Sequence, residues 1–196
     1  MPQRGILVVL SGPSGTGKGT ICQALRQASP IRYSISATTR KPREGEQHGR
    51  EYFFLEKAAF EDLMQHDGLL EWAQVYDNFY GTPRKFVEDV LNQGEDCILE
   101  IDPQGAMQIR QTMPEAVLIF VAPPSLEELE KRITGRGTES IEEINKRLSC
   151  ATAEMGSMDK YDYVIINDTV SEAVKKMQAI LLAEKCRVSR NRPLTV

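Results

Sequence analysis

The chain alternates between short, mainly apolar runs and longer stretches in which apolar residues recur every three or four positions. The apolar runs are "ILVVL" at 6–10, "CILEI" at 97–101, "AVLIFV" at 116–121 and "YVII" at 163–166. Runs of this length without polar alternation are typical of strands buried on both faces of a parallel sheet. The pattern therefore predicts one strand in each of these four segments.

Between these runs, apolar residues recur at the spacing of an α-helix over much of the chain. The predicted helical stripes are Ile21, Ala24, Leu25 and Ala28; Phe86, Val87, Val90 and Leu91; Leu126, Leu129 and Ile133; Ile141, Ile144 and Leu148; and Val174, Met177 and Leu181. Ser125 with Glu128, and Ser140 with Glu143, match the capping box that begins many helices. Strands that alternate with helices predict an α/β fold with a mainly parallel sheet flanked by helices.

Two segments interrupt this alternation. Residues 34–82 are polar and mixed, with short strand-like pieces such as "EYFFL" and "LLEWA", which predicts a small mixed α/β lobe inserted between sheet strands. The glycine-hinged turn "TGRGTES" at 134–140 lies between two helical patterns and predicts a mobile flap within a short helical lid at 123–155. The remaining segments, 1–33, 83–122 and 156–196, would form the core domain.

Composition restricts the classes of partner. The chain has 196 residues, 41% of them hydrophobic, and a formal net charge of −4, so it can bury one sizeable core but does not resemble a general nucleic-acid binder. Its four cysteines form no C-x-x-C pair, which favours reduced thiols over a zinc site. The first apolar run is too short to span a bilayer. We expect a cytoplasmic protein without nucleic-acid or membrane partners, either a monomer or a homodimer.

A phosphate-binding loop follows the first predicted strand. The stretch "GPSGTGKG" contains Gly12, four residues, then Gly17 and Lys18, and an amphipathic helix comes next. Glycines let backbone N–H groups approach phosphate oxygens, the helix N-terminus favours an anion, and the lysine adds a positive charge. The residues predicted to bind the donor phosphates are Gly12, Pro13, Ser14, Gly15, Thr16, Gly17, Lys18, Gly19 and Thr20.

The loop departs from the usual pattern at one position. Gly19 stands where a Ser or Thr hydroxyl usually ligates Mg²⁺, and Thr20 follows it. The "GKGT" ending resembles the loop of adenylate kinases, which are active enzymes. We therefore expect phosphate binding to be retained, with Mg²⁺ held by Thr20, by water, by the nucleotide phosphates or by carboxylates elsewhere.

Those carboxylates are predicted at the end of a strand. Glu100 and Asp102 are two residues apart at the end of a predicted parallel strand, so they point to one face at the edge where α/β ligands bind. The simplest role for these two carboxylates is to hold the water molecules that surround Mg²⁺.

A second anion site is indicated within the inserted lobe. Arg40 and Arg43 flank Pro42, and two guanidinium groups close together suit a phosphate monoester, to which Tyr52 could add a hydroxyl. The alternative is a solvated loop whose arginines pair with Glu44, Glu46 and Glu51. Composition alone favours that alternative.

Several segments, taken in order, resemble guanylate kinases. They are "TTRKPREGEQHGREYFF" at 38–54, "EWAQVYDNFYGT" at 71–82, "LEIDPQGA" at 99–106, "APPSLEELEKRITGRGTES" at 122–140, "INKRLSCATAEM" at 144–155 and "YDYVIINDT" at 161–169. Together with the phosphate loop they are distributed along most of the chain, from residue 12 to residue 169.

The resemblance implies roles for individual residues. Arg40, Arg43, Tyr52 and Tyr80 would hold the phosphate of GMP, and Ser36, Glu71 and Thr82 would contact its base. Asp102 would lie near the base and the metal. Arg132 and Asn167 would contact ATP, and Arg136 and Arg147 of the lid would join Lys18 in the phosphoryl-transfer step. Glu71 suits guanine, because one carboxylate can accept hydrogen bonds from both N1–H and the 2-amino group.

The function implied is transfer of the γ-phosphoryl group of ATP to GMP, giving ADP and GDP, with Mg²⁺ as cofactor. Two alternatives remain. One is another nucleoside monophosphate kinase, since "GKGT" is shared with adenylate kinases. The other is a non-catalytic binding module that resembles guanylate kinases.

Overall fold

The computed structural model describes residues 4–75, 77–134 and 141–191. In chain order its helices and strands are β1 (Leu7–Ser11), α1 (Lys18–Ala28), β2 (Ile31–Tyr33), β3 (Ala37–Thr38), β4 (Phe53–Phe54), α2 (Lys57–Gln65), β5 (Leu69–Val75), β6 (Asn78–Pro83), α3 (Arg84–Asn92), β7 (Asp96–Glu100), α4 (Pro103–Thr112), β8 (Val117–Ala122), α5 (Leu126–Thr134), α6 (Ile141–Met155), β9 (Tyr163–Ile166) and α7 (Val170–Lys185).

The main sheet has the strand order β2-β7-β1-β8-β9, and all its neighbouring strands are parallel. Successive side chains of β1 point to opposite faces, and both faces are covered. Val8 and Leu10 pack with α1 and α7, whereas Leu7 and Val9 pack with α3 and α4. This burial on both faces is why the strands are continuously apolar in sequence.

The second sheet is smaller and mixed. Its order is β4-β3-β6-β5, with β3 parallel to β4 and antiparallel to β6. A small core formed by Ala37, Phe60 and Leu69 joins this sheet to α2. Phe60 is fully buried and its ring stacks on Phe79, with the two centroids 5.7 Å apart. We propose that this unit is the inserted lobe at 34–82.

Helices α5 and α6 pack together through Leu129, Ile133 and Ala151. At the start of α5 the backbone N–H of Glu128 donates to Ser125 Oγ at 3.1 Å, so the capping hydrogen bond predicted there is present. The second predicted cap, Ser140, and residues 135–140 of the predicted flap at 134–140 lie outside the described residues.

The predicted fold class, α/β with a mainly parallel sheet flanked by helices, is confirmed. The four strands predicted from apolar runs are present, within one residue of the expected bounds. Helices α2 and α4 and strand β2 were not predicted. Strand β2 has only three residues, one of them buried. Helix α2 lies inside the segment 34–82, for which the sequence analysis predicts a mixed lobe without locating its helix. No helix in the described ranges has both the length and the apolar content needed to cross a bilayer.

Shortening Phe60 tests the small core of the second sheet. We expect Phe60→Ala to lower the free energy of unfolding by about 3–5 kcal/mol, because it removes a buried ring and leaves a cavity. Urea denaturation followed by fluorescence reports on this sheet directly, since Trp72, the only tryptophan, lies in β5. As a control, Leu182→Ala, at a side chain 66% exposed, should change stability by less than about 0.5 kcal/mol. Equal effects would show that Phe60 does not hold the sheet to α2.

Candidate functional site

Part of the predicted site lies at the carboxyl edge of the main sheet. The phosphate loop follows β1, Glu100 ends β7, Asp102 follows it, and Asn167 follows β9. A cleft of about 490 Å³ opens between this edge and the second sheet. Its lining includes Ser14, Ser36, Tyr52, Glu71, Tyr80, Glu100 and Asp102. Ligands of parallel α/β folds bind at this edge because the strands end there and their connecting loops are free to vary.

The phosphate loop has the backbone shape that its glycines predict. Gly12 and Gly17 have φ values of 132° and 85°, which strongly favour glycine. A Cβ atom on Gly12 would also lie only 2.4 Å from the carbonyl oxygen of Val121. Lys18 folds back over the loop, and its Nζ donates to the carbonyl oxygens of Gly12 at 2.6 Å and Pro13 at 2.8 Å.

Side chains from distant elements hold this loop. Asn167 Nδ2 donates to the carbonyl oxygen of Thr16 at 2.7 Å, and its Oδ1 is buried without a donor among the described residues. Arg132 donates to the carbonyl oxygen of Asn167 at 3.1 Å. Arg147 of α6 donates to Ser14 Oγ at 2.8 Å. Two of the predicted lid arginines therefore lie at the loop or next to it.

Carboxylates surround Lys18. Burial lowers the pKa of Lys18, and the negative charges of Glu100, Glu154 and Asp102 oppose that shift. Burial likewise raises the pKa values of Glu100 and Glu154. Glu154, from α6, was not predicted, because nothing in its local sequence distinguishes it from other helical acids. Tyr33, which was also missed, donates its hydroxyl to Glu100 at 3.4 Å.

The first turn of α1 places Gly19 next to Glu100. A Cβ atom on Gly19 would lie 3.4 Å from the carboxylate of Glu100, which is an ordinary contact distance. The backbone here therefore does not by itself require glycine. Thr20 is exposed in the same turn. Asp102 accepts a hydrogen bond from the backbone N–H of Gly105 at 2.8 Å and so caps α4.

Glu71 is a buried carboxyl group in the wall of the cleft, only 6% exposed. Its Oε1 accepts a hydrogen bond from Thr82 Oγ1 at 2.6 Å. Its Oε2 lies against the backbone of Gly105, where a Cβ atom would be only 2.7 Å away. Burial raises the pKa of Glu71 to about 7; the charge of Asp102 adds to this rise and the Thr82 hydrogen bond opposes it.

The residues of the lobe that are predicted to bind phosphate lie among aromatic rings. Arg40 lies over the rings of Tyr52 and Phe54, with its guanidinium carbon 5.5 and 5.7 Å from the two centroids. Tyr52 and Tyr80 pack edge to face at 5.8 Å. Arg40 also pairs with both carboxylate oxygens of Glu46, at 2.9 and 3.0 Å, so the ion pair expected of a solvated loop is present as well.

The structure brings seven of the predicted residues into the lining of one cleft and leaves others outside it. Arg43 is exposed, and its backbone N–H donates to Glu46 at 2.7 Å. Arg136, predicted to act in transfer, lies outside the described residues. The arrangement offers an anion-binding loop, a second cationic and aromatic surface, and a buried carboxyl group between the two sheets.

Comparison with known proteins gives a consistent result. The sequence matches the family model described as guanylate kinase over residues 4–184. It is 53% identical to the guanylate kinase of Caldanaerobacter subterraneus over 98% of this chain and 94% of that protein. It is 54% identical to the guanylate kinase of Desulfitobacterium hafniense over 95% of this chain and 94% of that protein. A crystal structure of guanylate kinase from Anaplasma phagocytophilum, 35% identical, superimposes with a TM-score of 0.79 over 97% of this chain and 91% of that one.

The raised pKa of Glu71 predicts a pH-dependent contribution to stability. Between its ordinary value of 4.5 and its folded value of about 7, the folded protein keeps this proton while the unfolded chain has lost it. The contribution of Glu71 to the free energy of unfolding is therefore fully present below pH 4.5, and it is lost as the pH rises through about 7. Relative to wild type, Glu71→Gln should gain up to about 3 kcal/mol of stability between pH 4.5 and 7.5.

Urea denaturation at a series of pH values measures this difference. The same substitution at the exposed Glu130 is the control for removing one carboxylate from the chain. A difference between Glu71→Gln and wild type that stays constant with pH would contradict the raised pKa of Glu71.

Proposed function

The chain belongs to the guanylate kinase family, and on that basis we propose that it transfers the γ-phosphoryl group of ATP to GMP, giving ADP and GDP. The observation that carries the proposal is the shared cleft between the two sheets. Ser14 of the phosphate loop lines the same space as Glu71, Tyr52 and Tyr80, so a donor and an acceptor could meet there.

The donor would bind at the carboxyl edge of the main sheet. The loop at 12–17 and the N-terminus of α1 present backbone N–H groups to the phosphates of ATP. Lys18 would exchange the carbonyl oxygens of Gly12 and Pro13 for phosphate oxygens. We propose Arg132, Arg136 and Asn167 as further contacts to ATP, and Arg136 and Arg147 as lid arginines that act on the transferring group.

The acceptor would bind against the second sheet. Arg40, Arg43, Tyr52 and Tyr80 would hold the phosphate of GMP, and Ser36, Glu71, Thr82 and Asp102 would surround its base. Guanine offers two adjacent donors, N1–H and the 2-amino group, which an ionised Glu71 can accept together. Adenine lacks that pair and would give the buried carboxylate no donor from the base, leaving hydrogen-bonding capacity beyond the Thr82 contact unused, which is unfavourable.

The residues present also fit Mg²⁺. Carboxylate and hydroxyl oxygens are the ligands this ion prefers, and it keeps several water molecules when bound. We propose that Glu100, Asp102 and Thr20 hold it, Asp102 through water, together with the nucleotide phosphates. When bound, the ion would neutralise phosphate charge during transfer.

The protein does not need to supply a general base or a covalent intermediate for the transfer step. The attacking oxygen belongs to the phosphate of GMP and is already an anion, so no general base is needed. The cleft must bring that oxygen in line with the γ-phosphorus, exclude water and neutralise the negative charge that spreads over the transferring group. Lys18 and the lid arginines are the proposed cations for that task.

Acceptor specificity tests the proposal. We expect the purified chain with ATP and Mg²⁺ to use GMP in preference to AMP or dTMP by about 10⁴-fold in kcat/KM, because a site built on hydrogen bonds rejects an acceptor that cannot make them. Formation of ADP is the measurement. Lys18→Ala, as the control, should slow transfer by about 10²–10³-fold without loss of the thermal unfolding transition. A preference for AMP would contradict the assignment of the base, and binding of GMP without transfer would indicate a binding module.

Removing one acceptor oxygen tests the role of Glu71. We expect Glu71→Gln to raise the Kd for GMP by about 10- to 100-fold, since an amide cannot accept both donors of guanine. The Kd for ATP should stay within about twofold of wild type, because the donor binds on the other sheet. Isothermal titration calorimetry measures both constants, with Glu56→Gln, an exposed position of the same lobe, as the matched control. Equal weakening of both nucleotides would point to a damaged fold.

A further inference from the structure

One side chain of helix α4 in the core hydrogen-bonds to both backbone groups of a residue in β5 of the lobe. The backbone N–H of Trp72 donates to Gln108 Oε1 at 3.0 Å, and Gln108 Nε2 donates to the carbonyl oxygen of Trp72 at 2.8 Å. A single primary amide therefore satisfies both polar backbone groups of one residue. Because its donor and acceptor are a fixed distance apart, the pair sets both the position and the orientation of that stretch of backbone.

A second residue of α4 contacts the other neighbour of Glu71. Thr112 lies one helical turn after Gln108, and its Oγ1 is 3.2 Å from the carbonyl oxygen of Leu70 and 3.1 Å from that of Gln108. A hydroxyl carries one proton and donates to one of these acceptors at a time. Helix α4 thus reaches the backbone on both sides of Glu71, with Gln108 as the stronger contact.

The backbone at Glu71 needs this support. Strand β5 is at the edge of its sheet, so its outward N–H and C=O groups have no neighbouring strand. The pairing of β5 with β6 also shifts register between Leu69 and Trp72, which places Glu71 in a β-bulge. Bulges disrupt the ladder locally and redirect side chains, so the ladder alone does not determine where the Glu71 carboxylate lies.

The carboxylate itself has little freedom. Oε1 is held by Thr82 at 2.6 Å, and Oε2 lies against Gly105, which is one turn before Gln108 on α4. A displacement of β5 along α4 would therefore press Glu71 into the helix backbone or draw it away from Thr82. A recognition group of this kind must be held to within about 0.5 Å to keep its geometry.

We propose that Gln108 is a positioning residue that sets the Glu71 carboxylate for recognition of guanine. This inference rests on the proposed function, in which Glu71 accepts N1–H and the 2-amino group of GMP. Gln108 acts through the backbone of Trp72 and lies outside the set of residues assigned to touch either nucleotide. We therefore expect Gln108 to affect the selectivity between bases and not the rate of phosphoryl transfer.

Gln108→Met tests the proposal, because methionine has a similar length and makes neither hydrogen bond. The KM values for GMP, IMP and ATP and the kcat with GMP are measured in steady state. IMP carries N1–H but no 2-amino group, so it depends on one of the two hydrogen bonds. We expect the KM for GMP to rise about three- to tenfold, the KM for IMP to rise less, and kcat and the KM for ATP to stay within about twofold.

Gln111→Met is the matched control, since Gln111 is the same residue type on the same helix but is exposed. It should leave all four constants unchanged. A purely structural role for Gln108 would lower the active fraction or the melting temperature without changing the ratio of the KM values for IMP and GMP. That result, or a Gln108→Met enzyme kinetically identical to the control, would overturn the proposal.

Failure of the proposed function would be seen in the wild-type protein, which would then not phosphorylate GMP at all. It can therefore be distinguished from failure of the inference about Gln108. If Gln108→Met does not fold, Thr112→Val takes its place, because it has the shape of threonine and removes only the weaker contact. It should lower the selectivity for GMP over IMP by about two- to threefold. Unchanged selectivity in that variant would also overturn the inference.

Discussion

The parallel register of β1 between β7 and β8 is the constraint on which the rest of the structure depends. Leu10, near the end of β1, lies opposite both Glu100 of β7 and Ile119 of β8. The phosphate loop therefore begins at the level where the acidic end of β7 stops. Because β1 is buried on both faces, a slip of one residue would exchange its two sets of apolar side chains, so burial itself fixes where the loop lies.

In this structure several charged groups of the proposed site have protein partners. Lys18 donates to carbonyl oxygens of its own loop, Arg40 pairs with Glu46, and Glu71 accepts from Thr82. Nucleotide binding would therefore exchange partners for Lys18 and Arg40 and add partners to Glu71. Buried polar groups are costly only when left unpaired, so a nucleotide that fails to offer matching groups is disfavoured more strongly than a matching one is favoured.

The lobe has its own small apolar core, yet its recognition group depends on the core domain. Phe60 and its neighbours hold the second sheet to α2, whereas Glu71 lies on the edge strand that faces α4. The same helix that is capped by Asp102 carries Gln108, which contacts β5. A single helix thus links the carboxyl edge of the main sheet to the wall that we propose reads the base.

The sequence by itself determined the fold class, the four buried strands and the phosphate loop, because continuous burial and tight glycine turns leave local patterns of residues. Resemblance to a family, rather than pattern, singled out Glu71, which by itself is one acid in a mixed segment. Only the tertiary structure decided that Glu154 lies near Lys18, that Tyr33 contacts Glu100, and that Glu71 lies in a bulge. It also decided that Gln108 contacts the backbone of Trp72, the residue after Glu71. These contacts join residues far apart in the chain, and their side chains meet because helices and sheets pack, which local periodicity does not encode.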